Sequence, residues 1–280
     1  MKKLKIFIIF FCLCLKVFAQ IDEENFSLFF SNFTSSSIPK DVIDNILKNK
    51  EEFYKELKHV LDIDTDNLLV LVDKNHFLDK DYIPKDIINL SELKNRAYSI
   101  SSILVTQKIK NIKTIIYIRD VNDIRLAKIA ESPLQKMSIA AKKDKITLVV
   151  SSAYRSFEYQ TKLFDKYVKK DGKQKAMTYS AMPGTSQHQL GTTIDFGTIN
   201  DSFAYTPQGK WLYKNAYKYG WSLSYPKGYE KVTGYKWECW HYRYIGVEAC
   251  KLQKKWFNDI QQYMLEFIYE WKKAGLNQKM

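Results

Sequence analysis

Cysteine is scarce in this chain, and its placement excludes more than its number does. Of four cysteines in 280 residues, Cys12 and Cys14 lie in the first twenty positions, leaving Cys239 and Cys250 in the body of the chain. Two thiols do not make a disulfide scaffold, and without a matched second pair they cannot form a four-thiolate zinc site. An oxidising compartment would permit a bridge between them, and the sequence leaves that open. Histidine is equally sparse, with residues at 59, 76, 188 and 241 only, and arginine is rare in a chain whose positive charge is carried by lysine. Beyond the N-terminus no apolar stretch approaches the roughly 20 residues a transmembrane helix needs. No internal repeat is visible.

Hydrophobic residues make up 45% of the chain and aromatics 15%, so a packed core is expected and wholesale disorder is not. The length suits one large domain, or one domain with an extension. Lys2, Lys3 and Lys5 open a basic start, Ile6 to Leu15 is an unbroken apolar run, and Val17-Phe18-Ala19 ends on small residues. That pattern predicts a secretory leader over residues 1–19, cleaved after Ala19, and an exported protein in the periplasm or at the cell wall. The bulky Phe10, Phe11 and Leu13 before Cys12 and Cys14 do not resemble a lipid-attachment site. Loss of the four leader lysines lowers the formal charge from +13 to +9. A basic surface suits nucleic acid, anionic membrane or anionic wall polymer, and export argues against nucleic acid. Charge decides nothing further.

Residues 20–64 read as a helical extension. Val42, Ile43, Ile46 and Leu47, then Phe53, Leu57, Val60 and Leu61, recur at three and four, after a loop through Thr34–Ser37 and Pro39. The domain proper is expected over 65–280. Leu68–Val72 and Ile146–Val150 read as short buried strands, with Asp73–Asn75 a turn after the first. Residues 91–121 are ambiguous apart from a strand at Thr114–Ile118. Helices are expected over Asn122–Lys143 (with Leu126, Ile129, Leu134, Met137 and Ala140 on one face, and Pro133 a kink), Glu158–Lys169, and Lys210–Tyr219 stopped by Gly220. A last helix is expected over Val247–Ala274, with Trp256, Ile260, Met264, Phe267 and Trp271 facing a core.

Three fragments carry chemistry. The first is Ser186-Gln-His188-Gln-Leu-Gly191-Thr-Thr-Ile-Asp195. Imidazole and carboxylate are both good zinc ligands, and Gly191 makes the turn that would let His188 and Asp195 converge. Alone, this fragment is also compatible with a buried histidine satisfied by the core. The second is Glu238-Cys-Trp-His241. Joined to the first, it gives two histidines and an aspartate, a set that leaves a coordination position open for water as catalytic zinc sites do. Glu238 is the candidate proton shuttle beside them, although a purely structural carboxylate would look the same. The third is Tyr154-Arg155-Ser156 with Gln160. Arginine can grip a free carboxylate with a two-pronged, charge-assisted hydrogen bond that lysine cannot reproduce. Arg243 is a rival for that role, and its neighbours Tyr242 and Tyr244 suggest packing instead. His59, without a companion in the helical extension, reads as surface.

These fragments resemble the VanY-type family of zinc D-alanyl-D-alanine carboxypeptidases, relatives of the VanX dipeptidases. The likeness rests on Ser152-Ala-Tyr-Arg155-Ser, the run from Ser180 to Asp195, and Glu238-Cys-Trp-His241-Tyr-Arg-Tyr. Leu68–Val72, Asp81–Pro84, Gly209–Leu212 and Tyr225–Gly228 lend support, so that it covers roughly 67–93 and 122–250. The resemblance implies an α+β fold, a small antiparallel sheet flanked by helices, of the hedgehog/DD-peptidase kind. It implies that His188, Asp195 and His241 bind Zn2+, that Glu238 is the catalytic base, that Arg155 holds the substrate carboxylate, and that Gln160 and Ser186 line the substrate site. Cys239 stands where the family usually has proline, and residues 21–64 and 94–121 match nothing in it.

The function expected is removal of the terminal D-Ala from a peptidoglycan stem peptide. An L,D-carboxypeptidase acting on tetrapeptide stems would share every fragment quoted. A wall-binding module without catalysis would have no use for Glu238, and an endopeptidase would have no use for a carboxylate clamp at Arg155. Oligomeric state is not legible.

Overall fold

The computed structural model describes residues 26, 28–31, 33, 37–100, 106–109, 112–115 and 123–276. The expected leader, most of the Thr34–Ser37 loop, and Ile116–Ile118 of the expected strand at 114–118 lie outside them. After helical residues at 28–31 come two amphipathic helices, α1 (Lys40–Lys48) and α2 (Lys50–Ile63). Their buried faces are Val42 and Ile46, then Phe53, Leu57 and Val60, at the three- and four-residue spacing of one helical stripe.

The centre is a five-stranded sheet of β2 (Ser99–Ile100), β6 (Val149–Ser152), β7 (Thr193–Phe196), β9 (His241–Tyr244) and β8 (Trp221–Leu223), in that spatial order. β6, β7, β9 and β8 pair antiparallel as expected, while β2 adds to the edge in parallel with β6. Two small antiparallel pairs stand apart: β1 (Ile87–Asn89) with β5 (Arg125–Ala127), and β3 (Thr106–Ile109) with β4 (Ile112–Ile115). Helix α3 (Lys128–Lys143) buries Ala130, Leu134, Met137 and Ala141 in one cluster with Val150, Ile194, Phe196 and Tyr242 of the sheet. The chain continues through α4 (Phe157–Asp171), α5 (Lys173–Ala176), α6 (Pro207–Asn215) and α7 (Glu230–Thr233) to two terminal helices, α8 (Val247–Trp256) and α9 (Gln261–Lys273). The terminal helices share a second apolar cluster with α1 and α2. In it Phe267 meets Phe29, Phe30, Phe33, Phe53, Phe257 and Trp271 at ring separations of 5.3–6.1 Å.

Four expectations are corrected. Leu68–Val72 is not a strand. The amides of Leu68 and Leu69 turn to the Asp64 carboxylate, and the carbonyls of Leu68 and Val70 accept from Arg243 Nη2 at 2.7 Å each. Side chains thus satisfy backbone groups that a ladder would otherwise pair. The helix expected from 122 begins at Lys128, because Arg125–Ala127 pairs with β1 instead, and this turns Ile129 outward to 38% exposure. The strand expected at 146–150 is displaced to Val149–Ser152. The last helix is broken: Asn258 and Asp259 take φ of 52° and 62°, left-handed values that Asn and Asp tolerate best among side-chain-bearing residues. The amide of Gln253 clamps the break through the Asp259 carbonyl at 2.9 Å. The expected stripe still packs inward, with Trp256, Ile260, Met264, Phe267 and Trp271 all buried. Cys239 and Cys250 are buried free thiols, so no bridge joins them.

Candidate metal centre

Strand register assembles the site. Asp195 on β7 is the Cα partner of His241 on β9, and a bulge between Val150 and Ser152 brings Ser152 of β6 opposite Asp195. Partners directly opposite in an antiparallel pair share a face, so Ser152, Asp195 and His241 line up across three strands. His188 arrives from a 3-10 turn, Gln187–Leu190, capped by Ser186 Oγ, which accepts from the His188 amide. Gly191 closes that turn at φ 72°, and an added Cβ there would stand 2.9 Å from Pro84 Cγ. Glycine is required both for the angle and for the fit.

The nitrogen and oxygen atoms converge. His188 Nε2 lies 3.2 Å from Asp195 Oδ2, His241 Nδ1 lies 3.3 Å from Asp195 Oδ1, and the three ligand atoms fall within 4.8 Å of one another. Ligands about 2.1 Å from a tetrahedral zinc would stand about 3.4 Å apart; each imidazole meets that spacing to one of the two Asp195 oxygens, within a set that spans up to 4.8 Å. Each imidazole is held by its other nitrogen. His188 Nδ1 faces the Ala153 carbonyl at 2.7 Å, and His241 Nε2 faces Gln187 Oε1 at 3.2 Å. Asp195 Oδ1 is buried with no hydrogen-bond donor among the described residues. A buried carboxylate oxygen without a donor, beside an imidazole nitrogen and in a group of two histidines and an aspartate, suits a cation, and this donor set fits zinc.

Electrostatics agree with that assignment. Burial, helped by Arg155, pushes His188 down to about 3, leaving it a neutral ligand. Burial opposes ionisation of Asp195, but His188 and the Arg155 guanidinium outweigh it and hold the carboxyl well below its usual range. Burial likewise opposes charging of His241, yet its contacts with Asp195 and Glu238 raise it. Burial lifts Glu238 above an ordinary glutamate despite the His241 contact, and its Oε2 stands 3.4 Å from His241 Nδ1.

The centre opens into a cleft of about 120 Å³ that Arg155, Ser186, Tyr167, Tyr179, Tyr225 and Glu238 help to line. Arg155 reaches Ser152 Oγ through Nε at 3.2 Å and Nη2 at 2.9 Å, and Asp195 Oδ2 through Nη2 at 2.6 Å. One edge of the fork is therefore occupied, Nη1 makes no hydrogen bond among the described residues, and Arg155 is part of the cleft lining. Gln160 is buried at 1% exposure and donates to the Ala181 carbonyl at 2.7 Å, so it fixes a wall of the cleft without lining it. Arg243, the rival clamp, is wholly buried away from the cleft against Leu68 and Val70. Sequence reasoning missed the tyrosine walls and Gln187. The former, Tyr167, Tyr179, Tyr225 and Tyr235, come from separate segments, and the latter sits inside the quoted motif with nothing to mark it.

A family model described as VanY, D-alanyl-D-alanine carboxypeptidase, matches residues 123–247. The putative carboxypeptidase YodJ of Bacillus subtilis (strain 168) is 34% identical over 213 residues, spanning 72% of this chain and 70% of that protein. A D-alanyl-D-alanine carboxypeptidase of Enterococcus faecalis (strain ATCC 700802 / V583) is 35% identical over 125 residues, 41% of this chain and 47% of that one. Among solved structures, the LD-carboxypeptidase LdcB superposes with a TM-score of 0.58 at 32% identity, over 73% of this chain and 87% of its own. The D,D-pentapeptidase VanY from a VanB-type resistance cassette, solved with Zn(II), gives 0.52 at 26%, over 71% and 98%. The span matched by the family model contains both imidazoles, the aspartate and the neighbouring glutamate, and the chain belongs to the VanY family of D-alanyl-D-alanine carboxypeptidases.

Proposed function

We propose that this protein is a zinc-dependent carboxypeptidase that hydrolyses the terminal peptide bond of peptidoglycan stem peptides, releasing the C-terminal D-Ala. The observation that carries this reading is the convergence of His188, Asp195 and His241 within 4.8 Å, with Glu238 3.4 Å from His241. His188 Nε2, His241 Nδ1 and an Asp195 oxygen would hold the ion. A bound zinc supplies a water acidified towards neutral pH and polarises the scissile carbonyl. Glu238 Oε2 takes the proton from the attacking water and delivers it to the leaving amine. Arg155 receives the terminal carboxylate on its free Nη1 arm, while its other nitrogens stay with Ser152 and Asp195. Ser186 lines the substrate site directly, and Gln160 serves it through Ala181.

Removal of the terminal residue of a tetrapeptide stem is the second reading, favoured by the superposition on an LD-carboxypeptidase. Export fits both, with residues 1–19 as leader, 20–64 as a helical extension and 65–280 as the catalytic domain. No helix among the described residues is long and apolar enough to cross a membrane. The test is to incubate the protein with defined penta- and tetrapeptide stems, with and without a chelator, and to weigh the products. Loss of one D-Ala from the pentapeptide, abolished by chelation, supports the proposal. An intact pentapeptide beside a shortened tetrapeptide transfers it to the second reading, and two intact stems end both.

A further inference from the structure

The two imidazoles of the centre are oriented in different ways. His188 donates to a backbone carbonyl, that of Ala153, whereas His241 leans on a side chain, Gln187. Gln187 is 2% exposed and belongs to a closed polar group with Ser224 and Gln261, themselves 2% and 1% exposed. Ser224 Oγ donates to Gln187 Oε1 at 2.7 Å and also stands 3.2 Å from Gln261 Oε1, while Gln187 Nε2 donates to Gln261 Oε1 at 3.3 Å. Strand geometry brings the serine here: the Ser224 amide donates to the His241 carbonyl at 3.3 Å, extending the β8–β9 ladder by one step. The backbone of Gln187 is fixed as well, because its carbonyl accepts from Thr193 Oγ1 at 3.0 Å.

The amide orientations in this group are mutually consistent. Gln261 presents its oxygen to Gln187, which turns its NH2 there and its oxygen toward His241 and Ser224. With an acceptor opposite Nε2, neutral His241 carries its proton on Nε2 and keeps the Nδ1 lone pair toward Asp195 and the cation. Were Gln187 reversed, its NH2 would meet Nε2, the proton would move to Nδ1, and an N–H would point into the centre. Gln261 Nε2 has no partner among the described residues, a cost that the arrangement bears. Gln261 is also the first residue of α9, beyond the 123–247 span of the family match, in the helical layer shared with α1 and α2.

We propose that Gln187, locked by Ser224 and Gln261, is a positioning residue that fixes the tautomer of His241, and that through Gln261 the C-terminal helix takes part in building the metal centre. This rests on the zinc reading above. One dipeptide, Gln187–His188, would then supply one ligand and aim the other.

The test measures zinc affinity by chelator competition on purified wild type, Gln187→Leu, Gln187→Glu and Gln261→Leu, with 15N spectra of the His241 ring in zinc-loaded wild type. Outer-sphere partners of metal-bound histidines are worth about 10–100-fold in affinity. Gln187→Leu is therefore expected to bind zinc at least about tenfold more weakly, while Gln187→Glu, which keeps an acceptor, stays within a few-fold of wild type. Gln261→Leu falls between them, and the wild-type spectrum shows the proton on Nε2. Wild-type affinity in Gln187→Leu, or equal loss in Gln187→Glu, overturns the proposal. So does a proton on Nδ1 in the wild-type spectrum, which needs no variant to fold. Absence of zinc binding by the wild type would instead overturn the metal centre itself, so the two failures are distinguishable.

Discussion

Asp195 and His241 face each other as Cα partners on adjacent strands, with Oδ1 and Nδ1 3.3 Å apart. The sheet sets that separation before any ion arrives, and Asp195 Oδ1 is left without a donor among the described residues. Asp195→Asn preserves the shape and removes the charge. Zinc affinity should fall by more than about 100-fold, beyond what an outer-sphere change costs. Competition with a chelator measures it, and wild-type affinity in the variant would remove Asp195 from the donor set.

Glu238 touches His241 but is not needed to complete the three-ligand set. Glu238→Gln should lower kcat by about 10²–10⁴-fold while zinc content is unchanged. Single-turnover rates paired with metal analysis check this. Full activity would assign the proton transfer elsewhere.

Arg155→Lys should lower kcat/KM on stems with a free C-terminus by roughly tenfold to a hundredfold, the worth of a hydrogen bond to a charged group. The sharper measurement uses a C-terminally amidated stem. Wild type should discriminate against it and the variant should not, and equal discrimination by both would place the carboxylate contact on another residue.

Protons and zinc compete for His241 Nδ1. Contacts with Asp195 and Glu238 raise this imidazole above 6.5 in the metal-free protein, whereas burial holds His188 at about 3. As pH falls through the raised His241 value, affinity should drop about tenfold per unit, with one proton released per zinc bound, and it should level off above that value. His188, already neutral, releases none. Calorimetry in buffers of different ionisation enthalpy counts the protons, and a flat affinity between roughly pH 5.5 and 7.5 would contradict the assignment.

Phe267 is fully buried where the terminal helices meet the N-terminal ones. Phe267→Ala should cost about 3–5 kcal/mol through lost burial and the cavity left behind. Denaturant unfolding of the metal-free protein reads the loss directly, and a change under about 1 kcal/mol would mean that the layer collapses onto the gap.

The site residues were legible because zinc chemistry restricts the choice to few residue types, and His188, Asp195, Glu238 and His241 sit in short, distinctive fragments. Helical periodicity was legible for the same kind of reason: the stripe from Trp256 to Trp271 packs inward as its spacing requires. What sequence could not reveal was long-range pairing. Leu68–Val72 has strand composition, yet Arg243, far along the chain, takes its carbonyls. Asn258 and Asp259 are tolerable within a helix, and only Gln253 and the packing beyond it decide that the chain turns there. Gln187 looks like any polar residue until Ser224 and Gln261 close around it.

Arg243 has a consequence for anyone seeking a shorter enzyme. It lies two positions past His241 on the same strand, fully buried, with burial bringing it down to about 10, and Nε and Nη1 lack partners among the described residues. Its acceptors, the carbonyls of Leu68 and Val70, belong to the connector arriving from α2. Trimming the chain to the span the family shares would strip a guanidinium of its ligands inside the strand that holds a metal-binding imidazole. A truncated version would therefore need a neutral replacement at position 243 before it could be expected to stand alone.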